Sequence, residues 1–202
     1  MTDTKRKLIT SLCAMVALLA SFVYGTYAYF TETVSSESDL SIFTGGAGAE
    51  IYDVTLDPGT SIPVPDGQAV RILPGFSVNK TVKFRNTGDY PLYVRVNIDY
   101  EITLSDKESG REDEINYSLI SADIDSENWI MVGEYYYYKH VLNKGQSTEA
   151  LMDYLTFSEE MDNLYKDATI LCHINMQVVQ SNNNGTNVLD AQGWPSEEGG
   201  NG

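Results

Sequence analysis

The most regular part of this chain is the sequence PLYVRVNIDYEITL, which runs from Pro91 to Leu104. Apolar and polar residues alternate along it with a period of two, so an extended strand would have one apolar face and one polar face. A helix would scatter the same apolar residues around its whole circumference. The stretch is therefore predicted to be a β-strand that packs one face against a hydrophobic core. That face consists of Leu92, Val94, Val96, Ile98, Tyr100, Ile102 and Leu104.

The same alternation returns between Ala168 and Gln180 and predicts a second long strand. Further strands are predicted where short runs of β-branched and aromatic residues end at turn signals. These are a strand through Val78, Val82 and Phe84 that ends at residues 86–88, a shorter one through Tyr52, Val54 and Leu56 that ends at residues 57–59, a hairpin of residues 129–132 and 135–142 around Gly133-Glu134, and a strand within residues 148–157.

Helical patterns are scarce in the rest of the chain. Residues 113–120 and 158–165 are predicted to form short helices, and residues 187–192 a single turn that ends at Gly193. Many strands separated by Gly, Pro, Asn and Asp clusters are typical of an antiparallel sandwich. We therefore predict an all-β fold, an antiparallel jelly roll or β-sandwich with one or two short helices, preceded by an N-terminal signal helix.

The N-terminus has the pattern of an export signal. Three cations at residues 5–7 precede an apolar run of 17 residues from Leu8 to Tyr24. That run is short for a stable membrane span, which needs about 20 residues, and small side chains follow it. We predict cleavage between Ala28 and Tyr29; a retained single-span anchor is the alternative.

Cleavage at this bond divides the chain into four parts. Residues 1–28 are the signal peptide, and residues 29–49 are an N-terminal segment. Residues 50–195 are the β-sandwich domain, which is long enough to bury a full core. Residues 196–202 are a flexible tail.

Acidic residues dominate the charge of the chain. It has 13 Lys and Arg against 29 Asp and Glu, a formal charge of −16. Loss of residues 1–28 removes three basic residues and one acidic residue, which leaves 10 against 28 and a charge of −18. Such a chain repels nucleic acid and anionic membrane surfaces, because phosphate contacts need clustered cations. We expect no nucleic-acid partner, and a membrane contact only in the uncleaved precursor.

The cysteines also bear on the compartment. Cys13 lies inside the apolar run and is expected to leave with the signal, so Cys172 is the single cysteine of the mature chain. One cysteine cannot form an internal disulfide. An exported protein that is stable without disulfides suits the exterior of a Gram-positive bacterium better than a small eukaryotic secreted domain.

Together these features resemble the TasA/camelysin family of Gram-positive exported proteins, which are processed by a SipW-type signal peptidase. The most specific part is the processing site, Gly25-Thr26-Tyr27-Ala28-Tyr29-Phe30-Thr31-Glu32. The resemblance continues through LPG at 73–75, VKFRNTG at 82–88 with the long strand after it, residues 135–142, GQST at 145–148, VVQSNN at 178–183 and AQGWP at 191–195. It covers nearly the whole chain, although members often carry Gly-Gly where this chain has Tyr24-Gly25.

The resemblance implies a secreted structural subunit of extracellular fibres or biofilm matrix, in which the N-terminal segment of one subunit adds a strand to its neighbour. Strand addition supplies backbone hydrogen bonds, and side-chain pockets supply selectivity. A head-to-tail contact that does not close generates an open filament. Gly45-Gly46-Ala47-Gly48 would be the hinge behind this segment; the alternative is that residues 29–43 supply the first strand of their own domain. The candidate donor-strand anchors are Phe30, Val34, Leu40, Ile42 and Phe43.

Catalysis is a competing interpretation, since some relatives carry a metallopeptidase label. The chain has two histidines, His140 and His173, and neither lies in the His-Glu-x-x-His pattern of a zinc peptidase. Cys172 and His173 are adjacent on a predicted strand and point to opposite faces. We predict no catalytic residue, no metal site and no cofactor, with Cys172 as a small buried thiol.

Two further patterns have a structural explanation that we prefer. Asp123, Asp125 and Glu127 alternate like calcium ligands, but they lack the sixth-position glycine and the distal glutamate of a calcium loop. The run Tyr135–Tyr138 could stack on sugar rings, yet in a strand one pair of tyrosines faces the core, which leaves at most two outside.

The chain is therefore expected to act as a non-enzymatic fibre subunit in the extracellular matrix or at the cell surface. Its expected partners are itself or related matrix subunits, and a signal peptidase during export. The alternatives are a monomeric surface adhesin or fibre-accessory protein, and a camelysin-type metallopeptidase. Self-association distinguishes a fibre subunit from an adhesin or accessory protein, because a fibre subunit polymerises alone and the other two do not.

Overall fold

The computed structural model describes residues 31–36, 48–57, 61, 63–64 and 73–195, with the backbone alone described for residues 31–36. Nine strands and four short 3-10 turns lie within these residues. The strands are β1 (Thr31–Ser36), β2 (Ala49–Thr55), β3 (Ser77–Asn86), β4 (Leu92–Thr103), β5 (Ile120–Ala122), β6 (Trp129–Val132), β7 (Tyr135–Tyr138), β8 (Met152–Phe157) and β9 (Thr169–Gln180).

The strands form two sheets that pack face to face. The larger sheet has the order β1-β9-β4-β7-β6, and the smaller has the order β2-β3-β8-β5. All strand pairs in the described part of the chain are antiparallel. Side chains from the inner faces of both sheets build a shared hydrophobic core. This part of the chain is therefore an all-β sandwich, as the alternating sequences predict.

β4 and β9 form a ladder of 12 residues each, from Leu92 opposite Gln180 to Thr103 opposite Thr169. The strands predicted at residues 91–104 and 168–180 are confirmed to within one residue at each end. Their period-two alternation arises because one face of each strand packs against the core, with Ile98, Tyr100, Ile170 and Cys172 only partly buried. The side chains on these faces with no exposed surface are Leu92, Val94, Val96, Ile174, Met176 and Val178.

Aromatic side chains join the two sheets at the centre of the core. The Trp129 ring meets Phe84 edge to face with 5.6 Å between ring centroids, and it lies 5.1 Å from the Tyr138 ring. Phe84 belongs to the smaller sheet, whereas Trp129 and Tyr138 belong to the larger one. Each such pair contributes roughly 0.5–1.5 kcal/mol beyond its buried area.

The helices predicted at residues 113–120 and 158–165 are wrong. Residues 112–114, 117–119 and 163–165 each form one 3-10 turn, and Ile120 begins β5, which was not predicted. The side chains of Asn116 and Asp162 accept from backbone N–H groups two residues further on. This local bonding competes with the continuation of a helix.

The turn predicted at residues 187–192 is confirmed as a 3-10 turn at Val188–Asp190. Gly193 follows it with a φ of 80°, a left-handed conformation that favours glycine. The described residues thus contain 3-10 turns in place of the one or two short helices that the sequence predicts.

The shorter predicted strands are present with shifted limits. β2 is present, but Tyr52 faces solvent with 56% of its surface exposed, while Ile51 packs against the core. The β6–β7 hairpin is confirmed, and Gly133 in its turn has a φ of 63°. β7 ends at Tyr138, and residues 139–149 then cross from the larger sheet, where Leu142 still pairs with Leu92 of β4, to the smaller one.

The C-terminal residues 181–195 add a small second cluster to the larger sheet. Because neighbouring residues of a strand face opposite sides, this cluster lies on the outer face of β4 and β9. Two-face alternation alone does not predict it, since it buries part of the face that should be polar. Its buried members are Tyr93, Val179, Val188 and Ala191, with Tyr137 and Trp194 packed against them.

Candidate functional site

β1 is both the first strand of the described chain and an edge strand of its sheet. It pairs with β9, from Thr31 opposite Val179 to Ser36 opposite Ile174. A terminal edge strand can detach without pulling any other strand with it. The β1–β9 pair is therefore the candidate functional site.

β9 is held independently from its other side. β4 pairs with β9 along its whole length, and Ile174, Met176 and Val178 point into the core with no exposed surface. Loss of β1 would leave β9 in place with a row of unpaired backbone N–H and C=O groups along one edge. Such an edge is the template for strand addition, in which main-chain hydrogen bonds supply the affinity.

Arg95 of β4 organises the outer face beside this edge. Its guanidinium donates to Gln177 Oε1 at 2.7 Å, to the Tyr137 hydroxyl at 3.1 Å and to the Pro195 carbonyl at 3.2 Å. Gln177 lies opposite Thr33 in the β1–β9 ladder. Arg95 therefore fixes the outer face of the strand to which β1 attaches.

Aromatic rings surround the same guanidinium. The Cζ atom of Arg95 lies 4.0 Å from the centre of the Tyr135 ring and 4.8 Å from the centre of the Trp194 ring, which is cation–π geometry. This group of contacts was not predicted from the sequence. The one feature of the sequence that points to this group is the run Tyr135–Tyr138, in which two of the four tyrosines must face away from the core.

The four tyrosines of that run divide between the two faces as predicted. Tyr138 is buried beside Trp129, and Tyr136 packs against the same core. Tyr135 and Tyr137 lie on the outer face with Arg95. Packing on both sides of β7 thus explains the run.

Most of the predicted site residues lie outside the described residues. Val34 is the exception: it lies in β1, where its backbone is opposite Met176. Residues 31–36 thus form the first strand of their own sheet, which was the alternative to a donated strand. The site residues outside the description are Ala28 and Tyr29 at the cleavage bond and the anchors Phe30, Leu40, Ile42 and Phe43.

Gly48, predicted to end the hinge, belongs to the folded sandwich. Its carbonyl accepts from the N–H groups of Thr87 and Gly88 at 3.0 and 2.9 Å. A Cβ atom at this position would lie 2.9 Å from Thr87 Oγ1, so the close approach requires glycine. Residues 45–47 of the predicted hinge lie outside the described residues.

The two histidines make separate polar contacts. His140 Nε2 lies 3.3 Å from Asn128 Oδ1, and His173 Nε2 lies 3.4 Å from Glu101 Oε2. Across the ranges that the structure describes, no three His, Cys, Asp or Glu side chains come close enough to hold a metal ion. Cys172 packs against the core, and burial raises the pKa of its thiol to about 12.

Asp123 and Asp125 of the acidic alternation both accept hydrogen bonds from backbone N–H groups, Asp123 from strand β8 and Asp125 within a local turn. Asp123 Oδ1 accepts from the N–H groups of Asp153 and Tyr154 at 3.0 and 2.6 Å. Asp125 Oδ1 accepts from the Glu127 N–H group at 2.9 Å. These bonds give the carboxylates a structural role, because short acidic side chains readily bond to nearby backbone groups.

Comparison with protein-family models, with curated proteins and with solved structures found no match for this chain. Within the described residues, no helix has the length and apolar character needed to span a membrane. The resemblance to the TasA/camelysin family stays a prediction, and the function is inferred from the β1–β9 geometry.

Proposed function

We propose that this chain is a secreted subunit of extracellular fibres or biofilm matrix that assembles by exchange of β1. In the exchanged state, β1 of one copy leaves its own β9 and pairs with β9 of the next copy. The observation that carries the proposal is that β1 is a terminal edge strand on a β9 that β4 holds independently. The same backbone hydrogen bonds form in both states, so exchange alters the connectivity while keeping the sheet.

Export would control when this exchange can begin. The apolar residues 8–24 would hold the precursor at the membrane until cleavage between Ala28 and Tyr29 frees the segment that contains β1. Assembly would therefore start outside the cell. The partners of the protein would be further copies of itself or related matrix subunits. We assign the protein no enzymatic role.

We infer further that the sandwich is a jelly roll. Strand order β1-β9-β4-β7 in one sheet and β3-β8-β5 in the other supports this topology. Further support comes from the connections, since among the described strands only β2–β3 and β6–β7 are hairpins within one sheet.

A monomeric adhesin or fibre-accessory protein is a second candidate, and one observation favours it. β1 already completes the sheet of its own chain, so the described fold needs no second copy. A fibre subunit must give up this pairing during assembly, whereas an accessory protein keeps it. A covalent link that holds β1 on the β9 of its own chain would therefore block assembly of a fibre subunit but leave an accessory protein unaffected.

A reversible disulfide between β1 and β9 provides that link. Ser35 and Asn175 are direct partners in the ladder, and paired Cα atoms lie about 4.5–5.5 Å apart, which a disulfide can span. The variant is residues 29–202 with Cys172→Ala, Ser35→Cys and Asn175→Cys. Electron microscopy and sedimentation in physiological salt, which screens the acidic self-repulsion, should show monomers when the pair is oxidised and fibres after reduction.

The matched control is the Cys172→Ala protein without the engineered pair, which should form fibres in both redox states. Fibres from the oxidised, locked protein would contradict strand exchange. Persistent monomers of the control at high protein concentration would instead favour the adhesin or accessory role.

A further inference from the structure

A cleft of about 450 Å³ opens beside the end of β7. Its walls come from residues 138–149, the segment that leaves the larger sheet after β7 and enters the smaller sheet at β8. Small-ligand sites commonly have volumes of roughly 300–1,000 Å³. β4 stands between β7 and β9 in the sheet, so this cleft is separate from the proposed exchange site.

The segment around the cleft is anchored to both sheets by hydrogen bonds. Leu142 exchanges two backbone bonds with Leu92 of β4, at 2.9 and 3.0 Å. The Thr148 N–H group donates to the Phe84 carbonyl of β3 at 2.8 Å, and the Asn86 side-chain amide donates to the Leu142 carbonyl at 2.8 Å. A site on a frame that is fixed at both ends is preformed, so a ligand avoids the cost of ordering it.

Two polar side chains of the cleft are held in fixed orientations. Glu149 accepts a hydrogen bond from the buried Tyr138 hydroxyl, which lowers the pKa of the Glu149 carboxyl and keeps it ionised. The His140 ring lies edge-on to Tyr138 with 5.4 Å between centroids, and its Nε2 faces Asn128 Oδ1. Asn128 is oriented in turn by Asp125, to which its amide donates at 2.8 Å. The cleft thus presents a carboxylate and an imidazole in a defined geometry.

The cleft lining contains no lysine or arginine that could receive an anion. Two lysines lie within the segment of residues 138–149, and both are paired outside the cleft lining. Lys139 Nζ donates to the backbone carbonyls of residues 126 and 127 at 2.8 and 2.9 Å, and Lys144 pairs with Asp89 at 2.6 Å. A phosphate or carboxylate ligand would meet the Glu149 carboxylate without a lysine or arginine in the lining to offset the repulsion.

We propose that this cleft binds a neutral saccharide. Glu149, His140, Gln146 and Ser147 supply both donors and acceptors, which the many hydroxyl groups of a sugar require. The Glu149 carboxylate can accept from sugar hydroxyls in charge-assisted hydrogen bonds, which are stronger than neutral ones. Val141, with 40% of its surface exposed, supplies apolar area for the C–H face of a sugar ring. The proposal does not rest on strand exchange.

Proton NMR of residues 29–202 tests the proposal. His140 lines the cleft, whereas His173 lies on β9 beside Glu101 of β4 and serves as the internal control. The methyl glycosides of glucose, galactose and N-acetylglucosamine are titrated separately to about 50 mM. At least one of them should shift the His140 ring signals in a saturable way and leave those of His173 unchanged. Glucuronate, the anionic probe, should bind about tenfold more weakly or not at all. Methylammonium, the cationic probe, tests whether the Glu149 carboxylate receives a cation instead of a sugar.

A pair of variants assigns the binding to the cleft. Glu149→Gln keeps the length of the side chain and an acceptor for Tyr138, and it should weaken glycoside binding about tenfold. Glu134→Gln in the exposed β6–β7 turn is the matched control and should bind like the unchanged protein. If Glu149→Gln fails to fold, Gln146→Ala in the exposed turn of the cleft provides the same comparison.

Three results would overturn the proposal. The first is the absence of any glycoside-dependent shift at His140, and the second is equal binding of the charged probes. The third is equal affinity of the cleft variant and the Glu134→Gln control.

Discussion

Arg95 joins three separate parts of the outer face through one side chain. It bonds to Gln177 of β9, to Tyr137 of β7 and to the carbonyl of Pro195 in the C-terminal segment. Lysine keeps the charge but cannot form this fork of hydrogen bonds or stack a planar group on the rings. Arg95→Lys is therefore expected to lower the free energy of unfolding by about 1–3 kcal/mol, measured by urea denaturation.

The control for this prediction is Arg85→Lys, which changes an exposed side chain of β3. It should alter the free energy of unfolding by less than about 0.5 kcal/mol. Equal effects of the two substitutions would show that the contacts of Arg95 do not stabilise the fold.

Cys172 should make the free energy of unfolding depend on pH in the alkaline range. Burial raises the pKa of its thiol from 9.0 to about 12 in the folded chain. The folded chain thus keeps a proton that the unfolded chain loses, so this contribution is complete below about pH 9 and is lost as the pH rises towards 12. Urea denaturation of residues 29–202 should therefore show a shallower loss of stability in Cys172→Ala than in the unchanged protein between about pH 9 and 11. Parallel pH profiles would contradict the assignment.

At the scale of the strand, β9 has a different partner on each edge, β1 on one side and β4 on the other. Successive backbone N–H groups of a strand alternate between its edges, so every second amide of residues 174–179 donates towards β1. If β1 detaches locally, these amides should exchange with solvent about tenfold faster or more than those that face β4. Hydrogen exchange of residues 29–202 by NMR measures both sets.

The protein with the oxidised 35–175 disulfide is the control for this exchange pattern. The lock should slow the β1-facing amides towards the rate of the β4-facing ones. Equal rates of both sets in the unlocked protein would show that β1 does not open independently of the fold.

The elements that were predictable from sequence are long strands with one face packed against the core. β4 and β9 are long enough for the alternation to repeat several times, so their limits follow from it. β5 has three residues, which is too short for any period to be read. Asn116 and Asp162 lie inside the helices predicted at residues 113–120 and 158–165, where their side chains instead cap single 3-10 turns and compete with a continuous helix.

The candidate sites were less predictable, because they depend on contacts between distant residues. A strand within residues 29–43 was predictable from the sequence, but β9 as the neighbour of β1 was not. Arg95 and Pro195 meet across 100 positions of the chain. The shape of the cleft beside the end of β7 depends on how residues 138–149 cross between the sheets. Hydrophobic periodicity does not predict the path of such a crossing.

At the scale of the whole molecule, the two proposed sites use different parts of the sandwich. Strand exchange uses the β1–β9 edge, whereas the cleft lies beyond β7 on the far side of β4. A subunit could therefore be joined to its neighbours and still present its cleft. Repetition along a fibre would then turn a weak single-site affinity for saccharide into a stronger multivalent one.

The position of β9 late in the sequence has a consequence for the order in which the molecule forms. An exported chain emerges with its N-terminus first, so residues 169–180 arrive after all the strands that they must join. Neither β1 nor β4 can gain this partner earlier, and pairing between distant segments is slow. If the chain is exported as proposed, the larger sheet closes only as secretion ends. Under the proposed strand exchange, the β1 of the chain itself and the β1 of a neighbouring chain would then compete for the same newly arrived strand.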